Sequence, residues 1–297
     1  MALIIGIDLG GSRIKTAVRN HQGVISHFGE AIFHDQEEAN WKELILRTVS
    51  EVKEFYREEP AAIGISAPGL PNESATAIAY MPGRMEGLEN FIWKKFLGYP
   101  TWVLNDGIAA LMAESRSGVA VGRKNVVMVT LGTGVGGGIL INGQPYMGAF
   151  GKAGHIGHMV IWESGDPDIT GMPGSLEEAI GDCTILKRSQ QKYASTKELL
   201  VAFREGDSFA REIWLTSLKR LALGLASLTN ILSPEMIVLG GGITAADKDL
   251  FDPLRGFMDQ YEWKAGGRGA PIVKALQGER AGALGALFYA LENSPKK

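Results

Sequence analysis

Residues 3–18 read LIIGIDLGGSRIKTAV, and residues 126–141 read VVMVTLGTGVGGGILI. Each is an apolar run, a glycine turn and a second apolar run, which is the signature of strand, tight turn, strand. The repeated pattern predicts an α/β protein of two similar domains facing each other across a cleft. In the first copy Ala2–Leu9 meets Gly10-Gly11 and resumes at Ile14–Val18, and Val24–Ile32 adds a third stretch of an antiparallel meander. The period then changes. Trp41, Leu44, Ile45, Val49, Val52 and Phe55 recur at three- and four-residue spacing, predicting a helix over 37–58 that Pro60 stops. Ala61–Ala67 reads as a buried strand, Pro68–Gly98 as a turn-rich loop, Thr101–Leu104 as a strand and Gly107–Ser117 as a helix. The second copy runs from a strand at Asn125–Leu131 through a glycine turn at 132–138 to a strand at Ile139–Asn142. Helices follow over 176–193, 197–204 and 208–232. A strand at 236–240, a helix over 250–261, a strand at 271–276 and a helix over 280–292 finish the chain. The expected division is 1–105 for a small first domain, with the C-terminal helix (about 280–297) packing on it, and 106–279 for a large second one.

The chain of 297 residues carries 30 Lys+Arg against 33 Asp+Glu, a net charge of −3, with 45% hydrophobic residues. That is an ordinary globular composition, and no basic run supplies an electrostatic footprint for nucleic acid or an anionic membrane. Glycine is the outlier at 39 residues, about twice the usual share, as expected where backbone approaches a ligand closely. One cysteine, Cys183, excludes an intrachain disulfide and a multi-thiolate zinc site within one chain. The apolar start lacks a basic leader and reads as a strand, and no run of about 18 apolar residues exists to span a membrane. The cytoplasm is the expected compartment.

Three clusters carry chemistry. The two glycine turns expose backbone N–H groups to an anion, yet each precedes a strand, so neither is a P-loop nor a Rossmann fingerprint. They read either as plain hairpins or, taken as a pair with Asp8 and Thr133, as a phosphate clamp. Asn105-Asp106 lies between a strand and a helix. Asp106 there is an N-cap, a general base for a substrate hydroxyl, or both, since a helix N-terminus favours the ionised form. Gly154-His155-Ile156-Gly157-His158 places two of only five histidines among small residues, as a polar pocket wall requires. A metal reading of this His-x-x-His lacks a clear helix and thiolate partners.

These residues resemble the ROK sugar kinases (repressor, open reading frame, kinase), within the actin-like, hexokinase-type superfamily. The matching pieces are DLGGSRIK from Asp8, LNDGIAALMAE from Leu104, LGTGVGGGILINGQ from Leu131, GKAGHIGHM from Gly151, GSLE from Gly174 and IVLGGGI from Ile237. They occur in family order over nearly the whole chain. The resemblance implies two actin-like (ribonuclease H-like) domains acting on ATP, Mg²⁺ and a sugar. It implies that Asp8 organises the metal through water, and that Gly10, Gly11, Ser12, Gly132, Thr133 and Gly134 hold phosphates. Gly241 and Gly242 would pass near the adenosine. Asp106 would take the proton from a sugar hydroxyl, the 6-OH by expectation, while Asn105, His158 and Glu177 hydrogen-bond other hydroxyls. A homodimer is common in the family and is the expectation here.

The chain departs from the family pattern in three places. Many relatives carry a structural zinc through His158 and a C-x-C-G-x-x-G-C run, whereas here Asp168, Thr170 and Ser175 replace the thiols, so no structural zinc is expected. His155 stands where the family has a Glu, exchanging an acceptor for a ring whose ordinary pKa near 6.5 allows a charge switch around neutrality. Gly83 follows Pro82 where relatives often place an Asn. A DNA-binding repressor of the same family needs an N-terminal helix-turn-helix, and the opening strand argues against it. A sugar-binding pseudokinase and a polyphosphate-using kinase remain the alternatives.

Overall fold

The computed structural model describes residues 2–32, 40–81 and 85–294. The first residues of the predicted 37–58 helix, the Gly83 position and the last three residues of the predicted 280–297 segment lie outside them. In chain order the elements are β1 (Ile4–Leu9), β2 (Arg13–Arg19), β3 (Ile25–Ile32), α1 (Asn40–Tyr56), β4 (Ala62–Ala67), β5 (Leu70–Pro71), β6 (Ile78–Tyr80), α2 (Trp93–Leu97), β7 (Thr101–Asn105) and α3 (Asp106–Ser117). They continue with β8 (Val126–Leu131), β9 (Val135–Ile141), β10 (Gln144–Pro145), α4 (Leu176–Ile180), α5 (Ile185–Arg188), α6 (Thr196–Arg204) and α7 (Ser208–Leu232). The last are β11 (Met236–Gly240), α8 (Lys248–Tyr261), β12 (Ile272–Lys274) and α9 (Ala281–Asn293).

Two five-stranded sheets carry the fold, ordered β3-β2-β1-β4-β7 and β10-β9-β8-β11-β12. Counted from the first strand of each, both run 3-2-1-4-5, so the duplication visible at the glycine turns extends to the whole sheet. The turn partners are antiparallel (β1/β2, β8/β9) and the crossover partners parallel (β1/β4, β4/β7, β8/β11, β11/β12). The fold is thus mixed α/β with two actin-like units. Contacts divide the chain into one unit of Met1–Gly122, Pro145–Ala153 and Leu276–Lys297 and another of Arg123–Gln144 and Gly154–Ala275.

In the first unit, Leu3 and the sheet residues Ile5, Ile7, Ile63, Ile65 and Val103 pack with Trp41, Ile45, Val49 and Trp93. On the opposite side α9 lies directly on β1 and β4. A Cβ on Gly6 would stand 2.1 Å from the Ala283 carbonyl oxygen, and one on Gly64 would stand 1.9 Å from that of Ala286. Only glycine on the strands and alanine on the helix permit so close an approach, which is why α9 reads as an alanine- and glycine-rich helix. The unit break falls after Gly122, beyond the expected 105, because α3 packs against α9, where a Cβ on Gly285 would stand 1.7 Å from the Ala109 oxygen. Buried Glu114 of α3 also accepts hydrogen bonds from the Val119, Leu276 and Gln277 amides, holding those segments to the first unit. In the second unit Val127, Val129, Ile237 and Leu239 pack against Trp214, Leu218, Leu221 and Leu225 of α7.

Three local expectations change. The glycine turn is only 132–134, and Gly136, Gly137 and Gly138 lie inside β9. A Cβ on Gly137 would meet the Met128 and Gly154 oxygens at 2.7 and 2.8 Å, so those glycines serve close packing. The helix predicted over 176–193 breaks at Gly181, whose φ of −57° and ψ of 142° are extended. The loop over 68–98 holds the β5/β6 pair and α2. Among the described residues no helix is long and apolar enough to cross a membrane.

Candidate functional site

In the first unit the carboxyl ends of three adjacent parallel strands supply the polar groups, the usual location of ligands in open α/β sheets. Asp8 is the penultimate residue of β1 and stands in register with Ser66 of β4 and Lys15 of β2. Ser66 Oγ donates to Asp8 Oδ1 at 2.7 Å, and Lys15 Nζ reaches Glu279 Oε2 at 2.9 Å. Burial, reinforced by the negative charge of Asp106, lifts the Asp8 carboxyl from 3.8 to about 6, against the opposing pull of the Ser66 hydrogen bond and Lys15. Glycine at 282 is what lets this carboxylate pack there, since a Cβ would stand 2.3 Å from Asp8 Oδ1. The turn after β1 is closed by the Gly10 amide donating to the Arg13 oxygen at 3.0 Å, and it leaves Ser12 exposed.

At the end of β7 the N-cap expected at Asp106 falls one residue earlier. The N-cap of α3 is Asn105, whose Oδ1 accepts from the Gly107 amide at 2.9 Å. Asp106 is the first helical residue and is exposed, with Oδ1 also 2.8 Å from the Gly107 amide. Asn105 is 6% exposed and donates through Nδ2 to the Gly69 oxygen at 3.1 Å, so most of its hydrogen-bonding capacity is spent on the backbone.

In the second unit the turn at Gly132-Thr133-Gly134 follows β8. Gly132 N donates to the Gly134 oxygen at 3.0 Å, and Thr133 is exposed at the tip. Glu177, in the first turn of α4, reaches this turn, with Oε2 accepting from Val135 N at 2.9 Å. Glycine at 134 is required for that approach, since a Cβ would stand 2.3 Å from Oε2. Gly241, with φ of +87°, follows the parallel strand β11, where a Cβ would meet the Leu131 oxygen at 2.3 Å. Thus Gly132, Thr133, Gly134, Glu177, Gly241 and Gly242 gather at the carboxyl ends of β8 and β11.

The histidine cluster seats on the same strand start. Gly157 packs so tightly on β9 that a Cβ would stand 1.9 Å from the Val135 oxygen. His158 Nδ1 lies 2.8 Å from Asp168 Oδ2. Burial would raise the Asp168 carboxyl, but hydrogen bonds from Thr170, His158 and Ser175 outweigh it and hold the pKa at about 2. His155 corrects an expectation. Burial, and then the neighbouring His158, pushes its pKa from 6.5 down to about 4, so the ring is neutral throughout the physiological range and does not switch. Its Nε2 is buried and without a hydrogen-bond partner among the described residues.

Sequence reasoning passed over Ser66, Lys15, Gly282 and the pairing role of Asp168. Ser66 left a signal, being the one hydroxyl in the otherwise apolar buried strand AIGISA. Gly282 and Asp168 left none, because their parts depend on contacts between distant or looped segments.

A family model described as "ROK family" matches residues 4–293. The chain belongs to the ROK family. It is similar to the glucokinase of Halalkalibacterium halodurans, 32% identical with 99% of this chain and 97% of that protein covered. Among solved structures it is similar to the ROK hexokinase from Thermus thermophilus, with a TM-score of 0.85, 26% identity and 98% of each chain covered. It is also similar to a ROK family glucokinase from Streptomyces griseus in complex with glucose and AMPPNP, with a TM-score of 0.80, 26% identity, and 98% of this chain and all of that one covered.

Proposed function

We propose that this chain, an ATP-dependent sugar kinase of the ROK family, phosphorylates the 6-hydroxyl of a hexose or hexose derivative, with Asp106 as general base. The observation that carries the reading is the pairing of an exposed carboxylate at the first turn of α3 with a cap supplied by its neighbour. Asp106 lies in the first turn of α3, where a helix N-terminus favours an ionised carboxylate, the form a general base needs. In this reading Asp106 takes the hydroxyl proton as that oxygen attacks the γ-phosphate. Asn105 contributes its remaining N–H, and His155, His158 and Glu177 contact the other hydroxyls.

The residues fit magnesium. Asp8 is a hard oxygen ligand whose carboxyl, destabilised as an anion by burial, a nearby cation would favour. Among the described residues no group of three or more His, Cys, Asp or Glu side chains could hold a metal ion. The donor set therefore suits a cation that keeps its waters and takes phosphate oxygens, which is magnesium's habit. When bound, the ion neutralises charge on the β- and γ-phosphates. The turn at Gly10, Gly11 and Ser12 and the turn at Gly132, Thr133 and Gly134 each offer backbone and hydroxyl donors of the kind a phosphate takes. Gly241 and Gly242 would pass near the adenosine. Catalysis is then positioning and charge stabilisation. A cytoplasmic homodimer completes the reading. ADP release over a panel of hexoses, amino sugars and polyols tests it, and silence on every sugar overturns it.

A further inference from the structure

The side chain of Asp168 is fully shielded from solvent, yet it belongs to a surface loop, and among the described residues its one ionisable partner is the His158 imidazole. Its two oxygens divide their work. Oδ1 accepts from Thr170 N at 2.8 Å, Thr170 Oγ1 at 2.7 Å and Met172 N at 3.1 Å, which closes the loop on itself. Oδ2 faces His158 Nδ1 at 2.8 Å. Ser175, which caps α4 by accepting from the Glu178 amide, also donates to this carboxylate. One buried side chain thereby ties His158 to the helix that carries Glu177.

An ionised carboxylate only accepts hydrogen bonds, so the proton between the two groups must reside on His158 Nδ1. In the neutral ring Nε2 is then a bare acceptor. The His158 side chain is 30% exposed, and no hydrogen bond to Nε2 is made among the described residues. Such a nitrogen pairs with an O–H donor and discriminates against a ligand atom that can only accept.

We propose that Asp168 is the positioning residue of the sugar site, fixing His158 with its proton on Nδ1 so that Nε2 accepts a hydrogen bond from a sugar hydroxyl. The inference rests on the sugar-kinase reading above, and it names a specificity device within it: the matching substrate position must carry a free hydroxyl, since fluoro, keto or O-alkyl groups donate nothing.

The test is Asp168→Asn. The amide oxygen can still accept from Thr170 and Met172, while the NH₂ group turned toward His158 forces Nδ1 to become the acceptor and moves the proton to Nε2. Long-range ¹H–¹⁵N correlation spectra of histidine-labelled protein read the tautomer directly. The expected result is Nδ1–H in the wild type and Nε2–H in the variant. With it should come a rise in sugar KM on the order of tenfold, the worth of one hydrogen bond, and an unchanged ATP KM, while the melting temperature at neutral pH falls because the neutral amide gives up hydrogen bonds that favour the ionised carboxylate. Across monofluoro-deoxy versions of the best substrate, the wild type should reject one position that the variant tolerates, a change that a merely structural anchor would not produce. Nε2–H in the wild type overturns the inference even in an active kinase. So does a variant whose tautomer flips while sugar KM and fluoro-sugar selectivity stay put. If the variant fails to fold, the wild-type tautomer and fluoro-sugar profile decide. Nδ1–H with no turnover on any sugar overturns the kinase reading instead and removes the sugar contact with it.

Discussion

Replacing Asp8 by Asn should stabilise the protein while abolishing its activity. In the native state the carboxyl has a pKa of about 6 against an ordinary value of 3.8, so the fold binds its proton more tightly than the unfolded chain does. Stability is therefore undiminished by this group below pH 3.8, falls as pH rises from there to about 6, and carries the whole penalty above that. About two pKa units at 1.36 kcal/mol each give a penalty of about 3 kcal/mol. Asn keeps the acceptor for the Ser66 hydroxyl, loses the attraction of Lys15, and recovers about 2–3 kcal/mol at pH 8. For a protein of this size that is a melting temperature higher by roughly 4–12 °C. The assay is thermal unfolding of both proteins from pH 5 to pH 8 without nucleotide or metal. The variant should lead at pH 8, and the gap should shrink toward pH 5, where the wild-type carboxyl is mostly protonated. Sugar phosphorylation by the variant should be lost, because a neutral amide neither attracts nor orients a hydrated cation. A variant that melts at or below the wild-type temperature at pH 8 would refute the claim that this carboxylate is held under electrostatic strain.

Asp106→Asn should fold normally, since Asn105 still caps α3, and should lose 10²–10⁴-fold in kcat; near wild-type turnover would remove the general base. Gly64→Ala drives a Cβ into the Ala286 oxygen and should cost at least about 1–3 kcal/mol, seen as a shift in the urea midpoint; an unchanged midpoint would mean α9 moves freely off the sheet. His155→Glu should raise kcat/KM for glucose about 10–150-fold by restoring a charge-assisted acceptor, and equal turnover of glucose by both forms would show that this side chain does not select the sugar. Protein purified without added metal should carry well under one zinc per chain by elemental analysis. Near-stoichiometric zinc would mean that His158 finds other ligands.

The fold was legible because its strands are short apolar runs punctuated by glycine, and because the same run-turn-run occurs twice. What periodicity could not supply was the purpose of individual glycines. Gly136–Gly138 look like a turn continuing from Gly132–Gly134, yet they lie within β9, where Gly137 admits the Met128 and Gly154 carbonyls. Conversely, Leu176–Tyr193 reads as one helix by composition, and extended backbone at Gly181 divides it. Propensity acts over a few residues, whereas these outcomes are set by what the neighbouring strand or turn requires.

The site shows the same division more sharply. Asp8, Asp106 and the two turns announce themselves, because a carboxylate at a strand end or a side-chain-free bend is a local pattern. The protonation states are not local. His155 reads from sequence as a titratable switch, and becomes a neutral ring only because burial and the adjacent His158 act together to depress its pKa to about 4. Asp168 reads as one substituted position in a loop, and becomes a strong acceptor at about 2 because Thr170, His158 and Ser175 all donate to it against the cost of burial. The two histidines thus reach fixed hydrogen-bonding roles by opposite routes. One is denied a proton by desolvation, and the other has its proton pinned to Nδ1 by a carboxylate. On the sugar-site reading, a wall with these two rings would recognise hydroxyl groups by the direction of their hydrogen bonds. That property follows from the arrangement around Asp168 and not from the residue types alone.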